Sequence, residues 1–376
     1  MFPGQQYSIA TLQGSAQKQA PGKPGATRQR GGNYVQGATS KPSFSPNPSQ
    51  RGYFFQLTEL ANLYRLWFKV KLSRSIRLRF VRFNEHLMDY LSKIQYQLRA
   101  GNFEFGPYQF FVIREKKTRS VANAPLKDRI VHWLLYEHLL AHWLRRFIHD
   151  TYGNLPGRGT HAAVWRVACW ARKPRLQYAL QIDISKYFCS VNHAYLKRVL
   201  LEREGDQNIR HLLIGLVESY QTGTEFDHLF AKDTPYRKTK EKGMPLGNLT
   251  SQLFANIYLN EFDHWVKEVL REKHYLRYVD DLIFLGANPS ELNVVKENVV
   301  DRLESIGLTV NPKKIAIRRI DRGIPFLGYV IWKNHVSAGA RVRRRFSRCL
   351  RLSEGVNRKS SLDSYKGFFK HTGATR

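Results

Sequence analysis

The sequence predicts an α+β fold preceded by a disordered basic arm, and three features of the chain point there. Helical and strand-like segments are mixed without a regular βαβ repeat. Stretches such as "DRIVHWLLYEHLLAHWLRRFIHD" place apolar residues at i, i+3 and i+4, whereas "LQYALQIDISKYF" and "YLRYVDDLIFLG" are short runs rich in β-branched and aromatic residues. Residues 1–50 are Gln, Gly, Ser, Pro and Lys/Arg without one acid ("QKQAPGKPGATRQRGG"), a composition that cannot bury enough apolar surface to fold alone.

Periodic sequence begins near Phe54. "QLTELANLYRLWFKVKLSR" and "RFNEHLMDYLSKIQYQLRAGNF" read as helices, the second stopping at Gly101. "YQFFVIREKKTRSVANAP" alternates like a hairpin with a basic tip. In the long helix that follows, His138 and His142 stand one turn apart, but no Glu completes an HExxH pattern and no third ligand is evident, so they read as helix-surface histidines. A strand ending at Asp183 comes next, then a helical and loop region to about Lys242. "GMPLGNLTSQLFANIYLNEFDHWVKEVLREK" gives a Gly-rich turn feeding a long helix. A strand pair carries "YVDD", "LTVNPKKIAIRR" and "GIPFLGYVIW" add two strands, and "ARVRRRFSRCLRLSE" is a basic helix. No internal repeat is visible.

Charge narrows the partner. The 376 residues hold 61 Lys+Arg against 30 Asp+Glu, a formal net charge of +31. Such an excess destabilises a compact chain by self-repulsion unless a polyanion screens it. With 13% aromatic residues alongside, nucleic acid is the expected partner. A membrane is not expected: no basic amphipathic helix has a large apolar face, and no apolar run approaches ~18 residues. Cys169, Cys189 and Cys349 are too few and too scattered for a disulfide framework or a zinc site. "MFPGQQYSIA" lacks the blocks of a signal peptide, so a reducing, cytoplasmic setting is expected.

Two adjacent aspartates, Asp280 and Asp281, interrupt an otherwise apolar run, and Asp183 interrupts another about a hundred residues upstream. Buried unpaired carboxylates are costly. Asp-Asp in a plain hairpin turn is one reading. The other places the two strands side by side, so that three carboxylates converge and need cations. Mg²⁺ prefers a few carboxylates plus substrate phosphates, and two such ions about 3.5–4 Å apart support in-line phosphoryl transfer.

On these blocks, from about Tyr108 to Tyr329, the chain resembles a reverse transcriptase. "YVDD" is similar to that family's catalytic hairpin and "QIDISKYF" to its first carboxylate block. The resemblance implies a right-hand polymerase with fingers over 51–175, palm over 176–330 and a short basic helical thumb over 331–376. It implies two Mg²⁺ ions, with Mn²⁺ as an alternative, on Asp183, Asp280, Asp281 and the backbone carbonyl of Ile184, Asp281 having the lesser role. Phe188 falls at the family's steric gate, where a bulky ring excludes a ribose 2′-OH; Tyr187 beside it reads as core. The hairpin tip "REKKTRS" would close over the triphosphate, with Arg119 in the main role and Lys117 supporting, while Arg129 is either a phosphate contact or a partner for Asp128. "NPKK" stands where the family carries a lysine that protonates the leaving pyrophosphate, and Lys313 and Lys314 are equally placed for it. "PFLGY" resembles the primer-gripping hairpin, giving Phe326, Leu327 and Gly328 a primer role, with plain core as the competing account of the first two. Arg344, Arg345 and Arg348 of the basic helix would lie along the template–primer backbone.

The Gly-rich block narrows the resemblance further. Many reverse transcriptases carry a glutamine near the nascent base pair where this chain has Leu246, followed by Gly247. "GNLTSQ" is the pattern of reverse transcriptases from diversity-generating retroelements, and "NFEFGPYQFFVI", "GNLPGRGTHAAV" and "SLDSYKGFFKHT" are similar to that group. The likeness covers residues 53 to 376. It implies an enzyme that copies a template-repeat RNA from an RNA or DNA primer, using deoxynucleoside triphosphates and misincorporating opposite adenines, with a small accessory protein. Leu246 cannot hydrogen-bond a sugar or base, so one check on pair geometry is lost. Only 47 residues follow Tyr329, too few for a splicing region or an RNase H domain. A retron-like or defence-associated reverse transcriptase of ordinary fidelity and a catalytically silent RNA-binding protein are the alternatives.

Overall fold

The computed structural model describes residues 48–72, 78–114, 118–220, 241–351 and 356–374. Residues 1–47 of the expected arm, and Lys116 and Lys117 at the hairpin tip, lie outside the described residues. No helix among the described residues is long and apolar enough to cross a membrane, and all three cysteines are free.

Four helices come first: α1 (Pro48–Leu57), α2 (Leu60–Leu72), α3 (Leu78–Glu85) and α4 (Leu87–Arg99). Helix α1 begins inside the stretch read as arm. Proline suits a first helical position, and the buried Phe54 ties the helix to the core. Strands β1 (Gln109–Arg114) and β2 (Thr118–Asn123) form the expected antiparallel hairpin, with Arg119 opposite Ile113. Helix α5 (Leu126–Trp143) follows. Its His138 is not a free surface residue: Nε2 lies 2.6 Å from Glu204 Oε2 and Nδ1 lies 3.0 Å from the Tyr53 hydroxyl, so it ties α1 to the chain at Glu204.

The chain continues through β3 (Thr151–Tyr152), α6 (Thr160–Ala171), β4 (Tyr178–Asp183), α7 (Tyr187–Ser190), α8 (His193–Glu202) and α9 (Gln207–Glu218). Next come α10 (Leu249–Tyr258), α11 (Asn260–Glu268), β5 (Tyr275–Tyr278), β6 (Asp281–Gly286), α12 (Pro289–Ser305) and β7 (Ala316–Arg319). The C-terminal part holds β8 (Ile324–Phe326), β9 (Tyr329–Ile331), β10 (His335–Ala338), α13 (Ala340–Leu350), α14 (Val356–Phe369) and β11 (Gly373–Ala374). Side chains start the helices that flank the central sheet: Asn192 accepts from the Tyr195 amide at 3.0 Å, and Asn288, followed by Pro289, accepts from Glu291 at 2.9 Å.

Five strands in the order β3-β5-β6-β4-β7 make the central sheet. All pairings are antiparallel except the short parallel β3–β5 contact. Alternation along β6 sorts the two faces. Leu282 and Phe284 pack into a core shared with α5, α8, α9, α10 and the N-terminal helices, while Ile283 and Leu285 pack with α6 and the C-terminal strands. A second sheet, β11-β10-β9-β8, lies beside α13 and α14. Its strands β10 and β11 have too few residues for their alternation to stand out in the sequence.

Candidate active site

The carboxylates converge because β4 and β6 are hydrogen-bonded neighbours. Their register sets Asp183 directly opposite Asp281. Asp280 occupies the tight turn between β5 and β6, after Val279, whose φ is +56°. Backbone bonds pin the three residues: the Ile184 amide donates to the Asp280 carbonyl at 3.0 Å, and the Asn311 amide donates to the Asp183 carbonyl at 2.9 Å. Ile184 itself is buried and bridges to Val310.

Electrostatics at this point are those of acids crowded together. Burial, then the neighbouring Asp280 and Asp183, push the Asp281 carboxyl up to about 7. Burial and Asp183 also raise Asp280, opposed by the positive charges of Lys314 and Arg119. Lys314, in the 3₁₀ turn Pro312–Lys314, is ion-paired with Asp183. Lys313 beside it is exposed, and its backbone amide donates to the Asn311 side chain at 3.2 Å. Of these two neighbouring lysines, Lys314 is the one whose side chain meets Asp183.

The donor set suits Mg²⁺. It consists of hard carboxylate oxygens, each partly open to solvent, beside the Lys314 ammonium. Among the described residues no group of three His, Cys, Asp or Glu side chains is arranged to hold a metal ion by itself; Mg²⁺ commonly takes one or two carboxylates and completes its shell with water and substrate phosphates.

The segment 243–248 runs from α7 to the β1–β2 hairpin. Met244 donates its amide to the Phe188 carbonyl at 2.7 Å, and the Leu246 carbonyl accepts from Ala122 at 3.2 Å. Gly247 has φ +99°, and a Cβ there would lie 3.1 Å from Val121 Cγ1, so glycine lets the loop close on β2. Leu246 and Phe188 are both partly exposed. Tyr187, by contrast, is buried, and its hydroxyl donates to the Ala255 carbonyl at 2.6 Å, in keeping with a core role. Arg119 is exposed on β2 and close enough to act on Asp280. Arg129 turns its guanidinium to the end of the hairpin, donating to the Ala124 carbonyl at 2.9 Å and to Asn123, while Asp128 accepts from the Gly106 amide at 2.8 Å.

On the opposite side, Leu327 (φ +47°) and Gly328 (φ +87°) form the two-residue turn between β8 and β9, the left-handed pair that suits a tight hairpin. Phe326 and Leu327 are buried with the C-terminal strands. One side of Gly328 is covered: its carbonyl accepts from Gly339 at 2.8 Å, and a Cβ there would meet Phe368 Cζ at 3.2 Å. Tyr329 stacks on Phe368 with ring centroids 3.9 Å apart. On α13, Phe346 packs on Tyr365 and Phe369 and Cys349 is buried, which turns Arg344, Arg345 and Arg348 to solvent.

Comparison with known protein families matches residues 113–331, more than half of the chain, to the family described as reverse transcriptase (RNA-dependent DNA polymerase). The chain belongs to the reverse transcriptase family. Its fold is accordingly the right-hand polymerase fold, and the matched segment contains all three converging carboxylates. Among curated proteins it is 24% identical over 271 residues to Protein YkfC of Escherichia coli, covering 62% of this chain and 68% of that one. It is 20% identical over 302 residues to the putative COX1/OXI3 intron 2 protein of Saccharomyces cerevisiae, covering 64% of this chain and 34% of the yeast protein. Apo telomerase from Candida tropicalis is similar with a TM-score of 0.49 at 14% identity, covering 77% of this chain and 57% of that structure. The reverse transcriptase thus spans about two thirds of YkfC and about a third of the yeast intron protein.

Proposed function

We propose that this reverse transcriptase copies a template-repeat RNA into adenine-mutagenised cDNA, as an enzyme of the diversity-generating retroelement type. The polymerase part of this reading is carried by one observation: Asp183 opposite Asp281 across neighbouring strands, with Asp280 in the adjoining turn. Residues 51–175 would serve as fingers, 176–330 as palm and 331–376 as thumb.

Asp183, Asp280, Asp281 and the Ile184 carbonyl would hold two Mg²⁺ ions. When bound, these ions lower the pKa of the primer 3′-hydroxyl and neutralise charge on the phosphates. The protein's own groups do the rest. Arg119, with Lys117, would clamp the triphosphate. Phe188 would exclude a ribose 2′-OH from the sugar pocket. As the primer 3′-hydroxyl gives up its proton to solvent, its oxygen would bond to the α-phosphorus while the bond to pyrophosphate breaks, and Lys314 would give a proton to the leaving oxygen. Phe326, Leu327 and Gly328 would seat the primer end, and Arg344, Arg345 and Arg348 would follow the duplex backbone.

The finer reading is supported by "GMPLGNLTSQ" and by Leu246, an apolar side chain partly exposed on the loop that meets the fingers hairpin. Without a hydrogen-bonding group there, mispairs lose one penalty. The positive surface also fits an RNA-bridged accessory protein. Primer extension on an adenine-containing RNA template with all four deoxynucleotides, followed by sequencing, tests this. Errors concentrated opposite adenine, absent with Asp280→Ala/Asp281→Ala because no cDNA forms, are expected. Faithful cDNA would leave a retron-like or defence-associated enzyme.

A further inference from the structure

Behind the carboxylates lies a buried charged network that no sequence motif marked. Arg277 in β5 and Asp263 on α11 each have 0% exposure. Arg277 grips Asp263 with both arms of a fork, Nε to Oδ1 at 2.8 Å and Nη2 to Oδ2 at 2.6 Å. The Tyr275 and Thr151 hydroxyls donate to the same carboxylate, each at 2.7 Å. Every lone pair that matters on Asp263 is answered. A buried ion pair contributes little net stability compared with apolar residues of the same volume, so the question is what else it does.

The remaining arm of Arg277 supplies an answer. Nη1 donates to the Val279 carbonyl at 3.1 Å and to Asn256 Oδ1 at 3.0 Å, while Asn256 Nδ2 donates to the Gly153 carbonyl at 2.8 Å. The Val279 amide donates to the Tyr152 carbonyl at 3.2 Å. Gly153 approaches so closely that a Cβ there would lie 2.6 Å from Val279 Cγ2. Val279 is therefore held by its amide, its carbonyl and its side chain. It needs to be: at φ +56° it sits in a left-handed conformation that a β-branched residue occupies only when its surroundings enforce it. The next residue is Asp280. Asn256 belongs to α10, which directly follows the Leu246–Asn248 loop, so the same network joins that loop's helix to the aspartate turn.

We propose that Arg277, held by Asp263 and Asn256, is a positioning residue that locks Val279 in its left-handed turn and thereby sets Asp280 and Asp281 in register for nucleotide addition. This rests on the polymerase reading of the carboxylates. Lysine at 277 keeps the charge but cannot reach Asp263 and the Val279 carbonyl together.

Three readouts on Arg277→Lys test it: amide hydrogen exchange of the segment 275–286 in the free protein, the single-turnover rate of deoxynucleotide addition, and template–primer affinity. We expect exchange in that segment to rise and the addition rate to fall, each by about tenfold or more, with affinity within about twofold. Val279→Gly in the Arg277→Lys background should restore most of both, because glycine takes the left-handed turn without help. Should Arg277→Lys not fold, Asn256→Ser, which shortens only the link between Arg277 and Gly153, carries the same expectations at smaller amplitude. An unchanged rate and unchanged local exchange overturn the proposal. So does a loss that spreads over the whole protein's exchange and is not restored by Val279→Gly, the behaviour of an ordinary core contact. If the wild type adds no nucleotide at all, the polymerase reading fails, while local exchange still reports whether Arg277 holds the turn.

Discussion

Lys314 is ion-paired with Asp183, although 131 residues separate them in the chain. The 3₁₀ turn Pro312–Lys314 follows Asn311, whose amide holds the Asp183 carbonyl, so the lysine is delivered to the carboxylate by the backbone that also fixes it. Lys314→Ala is expected to slow single-turnover nucleotide addition by about a hundredfold, the usual contribution of a general acid. Lys313→Ala should stay within about threefold, since that side chain faces solvent. Equal losses in the two variants would remove Lys314 from the proton-donor role.

A pair one helical turn apart on α5 gives opposing responses to acid. Burial lowers the His132 imidazole to about 3, and its Nε2 has no partner among the described residues, while Nδ1 meets the Thr250 hydroxyl at 2.7 Å. Unfolded, this histidine takes up a proton near its ordinary value, so its contribution is intact above about pH 6.5 and is lost as pH falls from there toward 3. Burial raises Asp128 to about 6, so this carboxyl does the reverse: stability rises as pH falls from about 6 toward the ordinary aspartate value. In denaturant unfolding, His132→Asn should abolish an acid loss of about 2 kcal/mol between pH 7 and 5. Asp128→Asn should make that loss steeper. Parallel pH profiles for both variants and wild type would contradict the assignment.

Glycine matters at 153 for space and at 157 for conformation alone. Both have positive φ, +89° and +70°, but only at Gly153 would a Cβ clash, whereas nothing lies within 4 Å of Gly157. Gly157→Ala should cost about 1 kcal/mol, the left-handed penalty. Gly153→Ala should cost about 2–4 kcal/mol and also slow nucleotide addition, because the Val279 turn must shift. Thermal melting and primer extension on the two variants separate the effects.

The exposed arginines of α13 should act through charge. Replacing Arg344, Arg345 and Arg348 by Ala is expected to weaken template–primer binding and reduce the salt dependence of log K by about 2–3 units, near 0.9 per phosphate contact. The addition rate at saturating template–primer should change little. A salt slope equal to that of wild type would mean these side chains face solvent in the complex.

Much of the site could be read from the chain because its two carboxylate strands are otherwise apolar runs. Strands β4 and β6 pack apolar residues on both faces, so an aspartate in either was conspicuous, and their antiparallel pairing sufficed to bring Asp183 to Asp281. Other features carried no local signal. Strand β3 has two residues and pairs through distant contacts with β5, and β10 and β11 are comparably brief. Arg277 looked like any strand residue, because a buried arginine is recognised only when its partner, Asp263 on another element, is brought against it. His138 read as a surface residue for the same reason: Tyr53 and Glu204 reach it from far along the chain.

The role of the three carboxylates is tested most directly by single-turnover addition of one deoxynucleotide to an RNA-templated primer, followed against Mg²⁺ concentration. Wild type should show a saturable Mg²⁺ dependence. Asp183→Asn and Asp280→Asn should fall by about a thousandfold or more at every concentration, with template–primer binding unchanged. Addition by Asp280→Asn within about tenfold of wild type would contradict a metal-binding role for the turn.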